Sequence, residues 1–169
     1  SYWHPVAQND FYLDYKPWKF SDDFFMTDAF NDHAVSFLDE AVAGKKPFFL
    51  YVGYVAPHWP LHAREKTIAP YRERYRRQGW SDWRDTRLER QRKMGLLPQG
   101  AKPAPYPGTV PDWNKDKHKD WQAERMAVYA AQISNVDRGV GRMLEVLKQS
   151  GQLDDTLILF LSDNGAAPD

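Results

Sequence analysis

Two nearly unbroken apolar runs constrain this chain more than anything else in it. Phe48-Phe49-Leu50-Tyr51-Val52-Gly53-Tyr54-Val55 and Thr156-Leu157-Ile158-Leu159-Phe160-Leu161 show no polar alternation. A strand of that kind has to be covered on both faces, the situation of a parallel sheet. A helical pattern precedes each run. Before the first, Phe30, Ala34, Phe37, Leu38 and Ala41 recur at helical spacing, with Thr27 as the predicted N-cap, Asp28 in the first turn and Gly44 as the stop. Before the second, Met126, Tyr129, Ala130, Ile133, Val136, Val140, Met143, Leu144 and Leu147 form one stripe. Arg125, Gln132, Arg138, Arg142 and Glu145 lie opposite, and Gly151 ends the helix. Helix then buried strand, twice, predicts an α/β fold in which part of a mostly parallel sheet is flanked by helices.

The rest of the chain reads less regularly. The first twenty residues, rich in aromatics, Pro and Asp without a period, read as an irregular surface segment. A short helix is predicted over residues 65–75, and Ser81 is the predicted cap of a charged helix that runs to Lys93 and stops at Gly95. Pro98, Pro103, Pro105, Pro107 and Pro111 make residues 98–111 a long loop. No composition shift across that loop divides the chain into two domains. Gly139 and Gly141 each weaken the last helix by up to about 1 kcal/mol relative to Ala. Close approach to the sheet is their expected use.

Composition removes several functions. Lys+Arg and Asp+Glu both total 23 among 169 residues, so the basic excess of a nucleic-acid binder is absent. Arg72, Arg74, Arg76 and Arg77 cluster, interleaved with Tyr71, Glu73 and Tyr75. They read as a solvated helix face or as an anion contact. With no cysteine there is no disulfide, thiolate nucleophile or cysteine metal site. No apolar run approaches the roughly 20 residues of a membrane span.

In open α/β sheets, ligands bind beyond the carboxyl ends of the strands. Two places satisfy that rule: Ala56-Pro57-His58-Trp59-Pro60 after the first run and Ser162-Asp163-Asn164-Gly165 after the second. Asp163 and Asn164 offer oxygen ligands on successive residues, which suits a hard cation, although Asp-Asn-Gly also builds ordinary tight turns. His58 suits an anionic oxygen or a proton transfer, or else it fixes its own loop. His62 stands near enough in sequence to share a pocket, although a surface position is the simpler reading. His4, His33 and His118 sit in polar or irregular surroundings and read as exposed. Asp137 reads as a structural hydrogen-bonding group. Trp80, Trp83, Trp113 and Trp121 either pack or line an aromatic or carbohydrate site.

These stretches resemble the sulfatase family, within the alkaline phosphatase superfamily. Residues 156–165 look like that family's strand and metal-binding turn. Residues 48–52 followed by Ala56-Pro57-His58-Trp59-Pro60-Leu61 look like the strand and histidine loop of bacterial arylsulfatases. Tyr71, Tyr75, Gly79-Trp80, Arg84, Arg87, Arg90, Gly95, Pro111-Asp112-Trp113, Tyr129-Ala130-Ala131, Asp137 and Gly141 match the intervening segments in order. The resemblance implies a calcium-dependent sulfuric ester hydrolase whose nucleophile is a formylglycine made from Cys or Ser. It makes Asp163 and Asn164 calcium ligands and His58 a contact to the substrate sulfate near the leaving oxygen. It also implies a sulfate-ester substrate, an aryl sulfate or a sulfated glycan, and a periplasmic or extracellular location.

Departures from the family pattern are equally informative. The nucleophile motif (Cys or Ser, any residue, Pro, any residue, Arg) is absent. So are the paired aspartates that complete the calcium site, the Lys-Trp-His segment and the downstream lysine. Residues 1–169 are therefore expected to be the central part of a single catalytic domain, inactive alone and with exposed apolar sheet edges. Two other readings stay open. One is a phosphoric or phosphonic ester hydrolase of the same superfamily, and the other a non-catalytic binding domain on the same scaffold.

Overall fold

Helices dominate the computed structural model, which describes residues 2–3 and 11–164. In chain order the elements are β1 (Tyr12–Leu13), β2 (Lys16–Pro17), α1 (Met26–Ala43), α2 (Glu65–Arg77), α3 (Trp80–Lys93), a 3-10 turn (Trp113–Lys115) and α4 (Lys119–Gln149). The chain divides into two compact units, one of Ser1–Ala63 with Ala131–Asp169 and one of Arg64–Ala130.

In the first unit the opening segment lies at the surface, as its sequence suggests, with residues 11–20 half-buried or exposed, but it is not irregular, and Tyr2 is buried. β1 and β2 pair antiparallel, Tyr12 opposite Pro17 and Leu13 opposite Lys16. Asp14 and Tyr15 both take positive φ, the backbone a two-residue hairpin needs to match strand twist. Around this hairpin the aromatics pack singly rather than periodically. Trp18 meets the edges of Phe20 and Phe24, with ring centroids 5.1 and 5.6 Å apart, and Trp3 lies 4.8 Å from Phe25. Tyr2, Phe24, Phe25, Met26, Ala56 and Val136 form the core. No repeat in the sequence records such packing, because each ring fills a separate gap.

Helix starts moved where tertiary contacts replaced local caps. α1 begins at Met26 with Phe25 at the N-cap and no side-chain cap. Thr27, the predicted cap, is instead 3% exposed inside the first turn. An orphan donor of that turn is satisfied from far away in sequence, by Met26 N–H donating to the Tyr2 carbonyl at 2.8 Å. Similarly Gly79, not Ser81, occupies the N-cap of α3. A Cβ there would lie 2.2 Å from the Trp113 ring, so only glycine lets the indole close over this turn. The stops fared better. Gly95 and Gly151 both have φ near +72°. Each closes a left-handed cap, with Leu96 N–H to Gln91 O at 2.9 Å and Gln152 N–H to Leu147 O at 2.9 Å. Gly44 caps α1 in right-handed backbone, and the left-handed residue there is Lys45.

The buried face of α4 differs from the expected stripe. Ala123, Ala127, Ala131, Gln132, Asn135, Val136 and Leu147 are buried, whereas Tyr129, Ile133 and Leu144 are exposed. Gly139 is buried on this face because α1 approaches closely there. Asn31 of α1 sits where a Gly139 Cβ would go, its Oδ1 only 1.8 Å from that position. Gly139 therefore serves a helix contact rather than a sheet contact, and Gly141 faces open space. Asn31 Nδ2 donates to the Asn135 carbonyl at 3.0 Å, and Asn135 Nδ2 donates to Asp28 Oδ1 at 2.9 Å. Asn135 Oδ1 also accepts from Arg138.

The two apolar runs carry no regular secondary structure among the described residues, so the parallel sheet is not seen there. Phe49 is 92% exposed and Leu157 86%, with Tyr51, Leu159, Phe160 and Leu161 similar. A strand exists only through its neighbours' hydrogen bonds, and among the described residues neither run has such neighbours.

The second unit is held by polar and aromatic contacts. Ile68 is its buried aliphatic anchor on α2. Trp80 meets Trp113 edge-on at 4.7 Å, and Trp83 contacts both Tyr75 and the Arg74 guanidinium. The proline-rich loop 98–111 lies against α3. Arg84 covers the Tyr106 ring and donates to the Ala104 carbonyl, and Arg92 donates to Ala101.

Gly139→Ala is expected to destabilise by about 1–3 kcal/mol through overpacking against Asn31. Gly141→Ala is expected to stabilise by up to about 1 kcal/mol through helix propensity. Urea unfolding midpoints check both, and equal shifts in the same direction would contradict the assigned contact.

Candidate functional site

His58 sits on a loop whose backbone is tied to the core while its ring is exposed. Ala56, two residues before it, is buried with the Tyr2 and Phe25 rings. The loop turns tightly, with His58 N–H donating to Val55 O at 2.9 Å. The Ala56-Pro57 and Trp59-Pro60 bonds are both cis. Tyr2 Oη donates to the His58 carbonyl at 2.9 Å, and four residues earlier Tyr54 Oη donates to Asn31 Oδ1 at 2.6 Å.

The ring itself has a defined sense. Its Nδ1 lies 2.7 Å from the Trp59 carbonyl. A carbonyl only accepts, so this contact places the proton on Nδ1 and leaves Nε2 as the nitrogen available to a ligand. Neutral, His58 presents a lone pair there. Protonated, it presents an N–H suited to an anionic oxygen. The two sequence readings of His58, loop-fixing and ligand-binding, thus use different nitrogens of one ring.

His62 lies further in. Its Nδ1 accepts the Tyr2 N–H at 3.4 Å and its ring meets Tyr2 edge-on. Burial lowers its pKa, in keeping with an unprotonated acceptor. Of the other histidines, His33 stacks edge-on against Trp18 at 4.7 Å, His118 is exposed, and His4 lies outside the described residues.

Asp163 and Asn164 are both exposed and follow the second apolar run directly. Gly165 lies outside the described residues. Among those residues there is no group of three or more His, Cys, Asp or Glu able to hold a metal ion. Asp163 and Asn164 together provide three side-chain oxygens of the hard type calcium takes, two from the carboxylate and one from the amide, against the six to eight ligands it usually gathers. Asp137 is exposed on α4.

Other candidates resolve into packing. Trp80, Trp83 and Trp113 pack as described, and Trp121 is exposed beneath the Arg125 guanidinium at 4.6 Å. All four clustered arginines have partners within the chain. Arg72 bridges Glu124 at 2.8 Å and also pairs with Glu65, Arg74 covers Trp83, and Arg76 and Arg77 reach Glu73. That cluster is a satisfied helix surface rather than an anion site. Among the described residues no helix is long and apolar enough to cross a membrane.

Tyr2 and Asn31 are the positions sequence reasoning missed. Tyr2 lies in an aperiodic aromatic segment, and Asn31 is not among the apolar residues that mark the period of α1. Neither carried a signal that it would reach a distant backbone.

Comparison with known proteins identifies the family of the chain. The Sulfatase family model matches residues 2–169. An uncharacterized sulfatase of Schizosaccharomyces pombe is 40% identical over 122 residues, which are 70% of this chain and 22% of that protein. An arylsulfatase of Klebsiella aerogenes is 32% identical over 149 residues, 87% of this chain and 32% of that one. A multifunctional alkaline phosphatase superfamily protein of Trinickia caryophylli is 29% identical over 176 residues, 88% of this chain and 28% of its own length. The chain belongs to the sulfatase family. It spans about a fifth to a third of the length of these relatives.

The Arg72 cluster also predicts a response to acid. Hydrogen bonds from Arg72 hold the Glu65 and Glu124 carboxyls below the usual carboxylate value. Depressed folded-state values mean that the unfolded chain takes up protons first as pH falls. The stabilisation is therefore complete above the ordinary carboxylate pKa of about 4.3 and is lost as pH falls through the lower folded values. Arg72→Met is expected to flatten the fall of the urea midpoint with pH below that point, and parallel profiles for parent and variant would refute it.

Proposed function

We propose that this chain is part of the catalytic domain of a calcium-dependent sulfuric ester hydrolase acting on an aryl sulfate or a sulfated glycan. The observation that carries the reading is the His58 ring, exposed, with Nδ1 bonded to Trp59 and Nε2 available, on a loop fixed to the core. That arrangement suits a hydrogen bond to a sulfate ester's oxygens, and a protonated Nε2 would stabilise charge on the leaving oxygen. Family membership and the relatives named arylsulfatase support the reaction class.

Asp163 and Asn164 would hold calcium through a carboxylate and an amide oxygen, the remaining ligands coming from outside the described residues. Bound there, calcium would polarise the sulfate oxygens. The formylglycine nucleophile is assigned to sequence outside this chain, so the 169 residues alone should be inactive. The exposure of Phe49, Tyr51 and residues 157–161 supports the reading of the chain as part of a larger domain, because such apolar stretches are surfaces awaiting cover.

A second reading, phosphoric or phosphonic ester hydrolysis, draws support from the alkaline phosphatase superfamily relative. The nucleophile segment of the full-length protein separates the two. Cys or Ser in the formylglycine context favours sulfate, and unmodified Thr or Ser favours phosphoryl transfer.

In the full-length protein, Asp163→Ala is expected to lose bound calcium and to lower aryl-sulfate turnover by roughly 10²-fold or more, as removal of transition-state charge stabilisation does. Metal analysis and a turnover assay check it, and undiminished turnover would sink the metal assignment. His58→Ala is expected to lower turnover roughly 10²- to 10⁴-fold with an unchanged melting temperature. An unaltered rate would leave His58 only its loop-fixing role.

A further inference from the structure

We infer that Tyr2 is a positioning residue for the His58 loop, setting the ring of His58 against the substrate through a hydrogen bond to that residue's own backbone. The inference rests on the reading of His58 as a substrate contact.

Tyr2 is 2% exposed, at the centre of the first unit's core. Each of its polar groups reaches a different part of the chain. Its carbonyl accepts Met26 N–H at 2.8 Å, which ties it to the first turn of α1. Its N–H donates to His62 Nδ1 at 3.4 Å, and its hydroxyl donates to the His58 carbonyl at 2.9 Å. The two ends of the loop's histidine pair are thereby referred to the start of α1 through one residue.

The hydroxyl is well suited to that task. Burial raises its pKa to about 12, against a smaller opposing pull from the Gln132 amide, so it stays a donor at any working pH. Gln132 is 1% exposed, and neither of its amide atoms completes a hydrogen bond among the described residues. The Gln132 amide thus lies near the phenol without diverting its proton from His58. The carbonyl that Tyr2 holds is bonded directly to the Cα that carries the imidazole. The next carbonyl along, that of Trp59, receives Nδ1–H. Rotation of the 58–59 peptide would therefore swing both the ring's base and its Nδ1 anchor. A displacement of that kind moves Nε2 by a distance to which catalytic geometry is sensitive.

The neighbouring rings supply stiffness but not orientation, since Phe25 stacks on Tyr2 at 6.1 Å through the ring faces alone. The hydroxyl is the part of Tyr2 that addresses the loop's backbone direction. Tyr2→Phe keeps the ring and deletes that single bond.

The test is a double-mutant cycle in the full-length enzyme, with aryl-sulfate kcat and KM measured for Tyr2→Phe, His58→Ala and the double variant. Each is assayed well below its own melting temperature. Tyr2→Phe is expected to lower kcat roughly 3- to 10-fold, the fold-change of one hydrogen bond, with KM nearly unchanged. In the His58→Ala background it is expected to have no further effect. The same loss in both backgrounds, an unchanged kcat, or a Tyr2→Phe protein that does not fold would each overturn the positioning role. An unchanged rate in His58→Ala would instead mark failure of the His58 reading itself.

Discussion

The amide of Asn31 is the contact on which most of the first unit depends. It occupies the space left by the missing side chain of Gly139, so α1 and α4 meet where no larger residue fits. Its Nδ2 donates to the Asn135 carbonyl and its Oδ1 accepts from Tyr54. Buried at 2% exposure, the group would cost about 1–3 kcal/mol if left unpaired, so it fixes the register of the helices instead of merely filling space. An apolar contact between α1 and α4 would permit sliding, whereas an amide with two assigned partners does not.

From that seam the candidate site is built outward. Tyr54, near the end of the first apolar run, is held by Asn31. Ala56 is buried against Tyr2 and Phe25, and His58 follows with its backbone bonded to Tyr2 and its ring exposed. Anchoring the main chain while freeing the side chain is how a rigid scaffold presents a reactive group on a loop. The ring's own bond to Trp59 completes the orientation by settling which nitrogen faces outward.

Part of this was legible in the sequence because it is local. Gly95 and Gly151 stop helices through their own backbone freedom, the helical periods of α1 and α4 repeat along the chain, and Pro57-His58-Trp59-Pro60 stands where an apolar run ends. What failed was each inference that depended on a partner. Thr27 and Ser81 are reasonable caps in isolation, yet a Tyr2 carbonyl and a Trp113 ring decided where those helices begin. The stripe on α4 was misjudged for the same reason. Alanines and Gln132 are buried there by tertiary packing that no period records, whereas hydrophobicity alone favours Ile133 and Tyr129.

The sequence by itself determined the helices of this chain, its place in the sulfatase family and the two residue groups that could carry chemistry, His58 and the Asp163-Asn164 pair. Residue type, spacing and order are enough for those. Only the tertiary structure decided which nitrogen of His58 is available, that Tyr2 holds its loop, and that Gly139 serves Asn31 rather than a sheet. The reason is physical. A period records which way a side chain faces, but a hydrogen bond across tens of residues depends on where two backbones come to rest, and packing alone sets that.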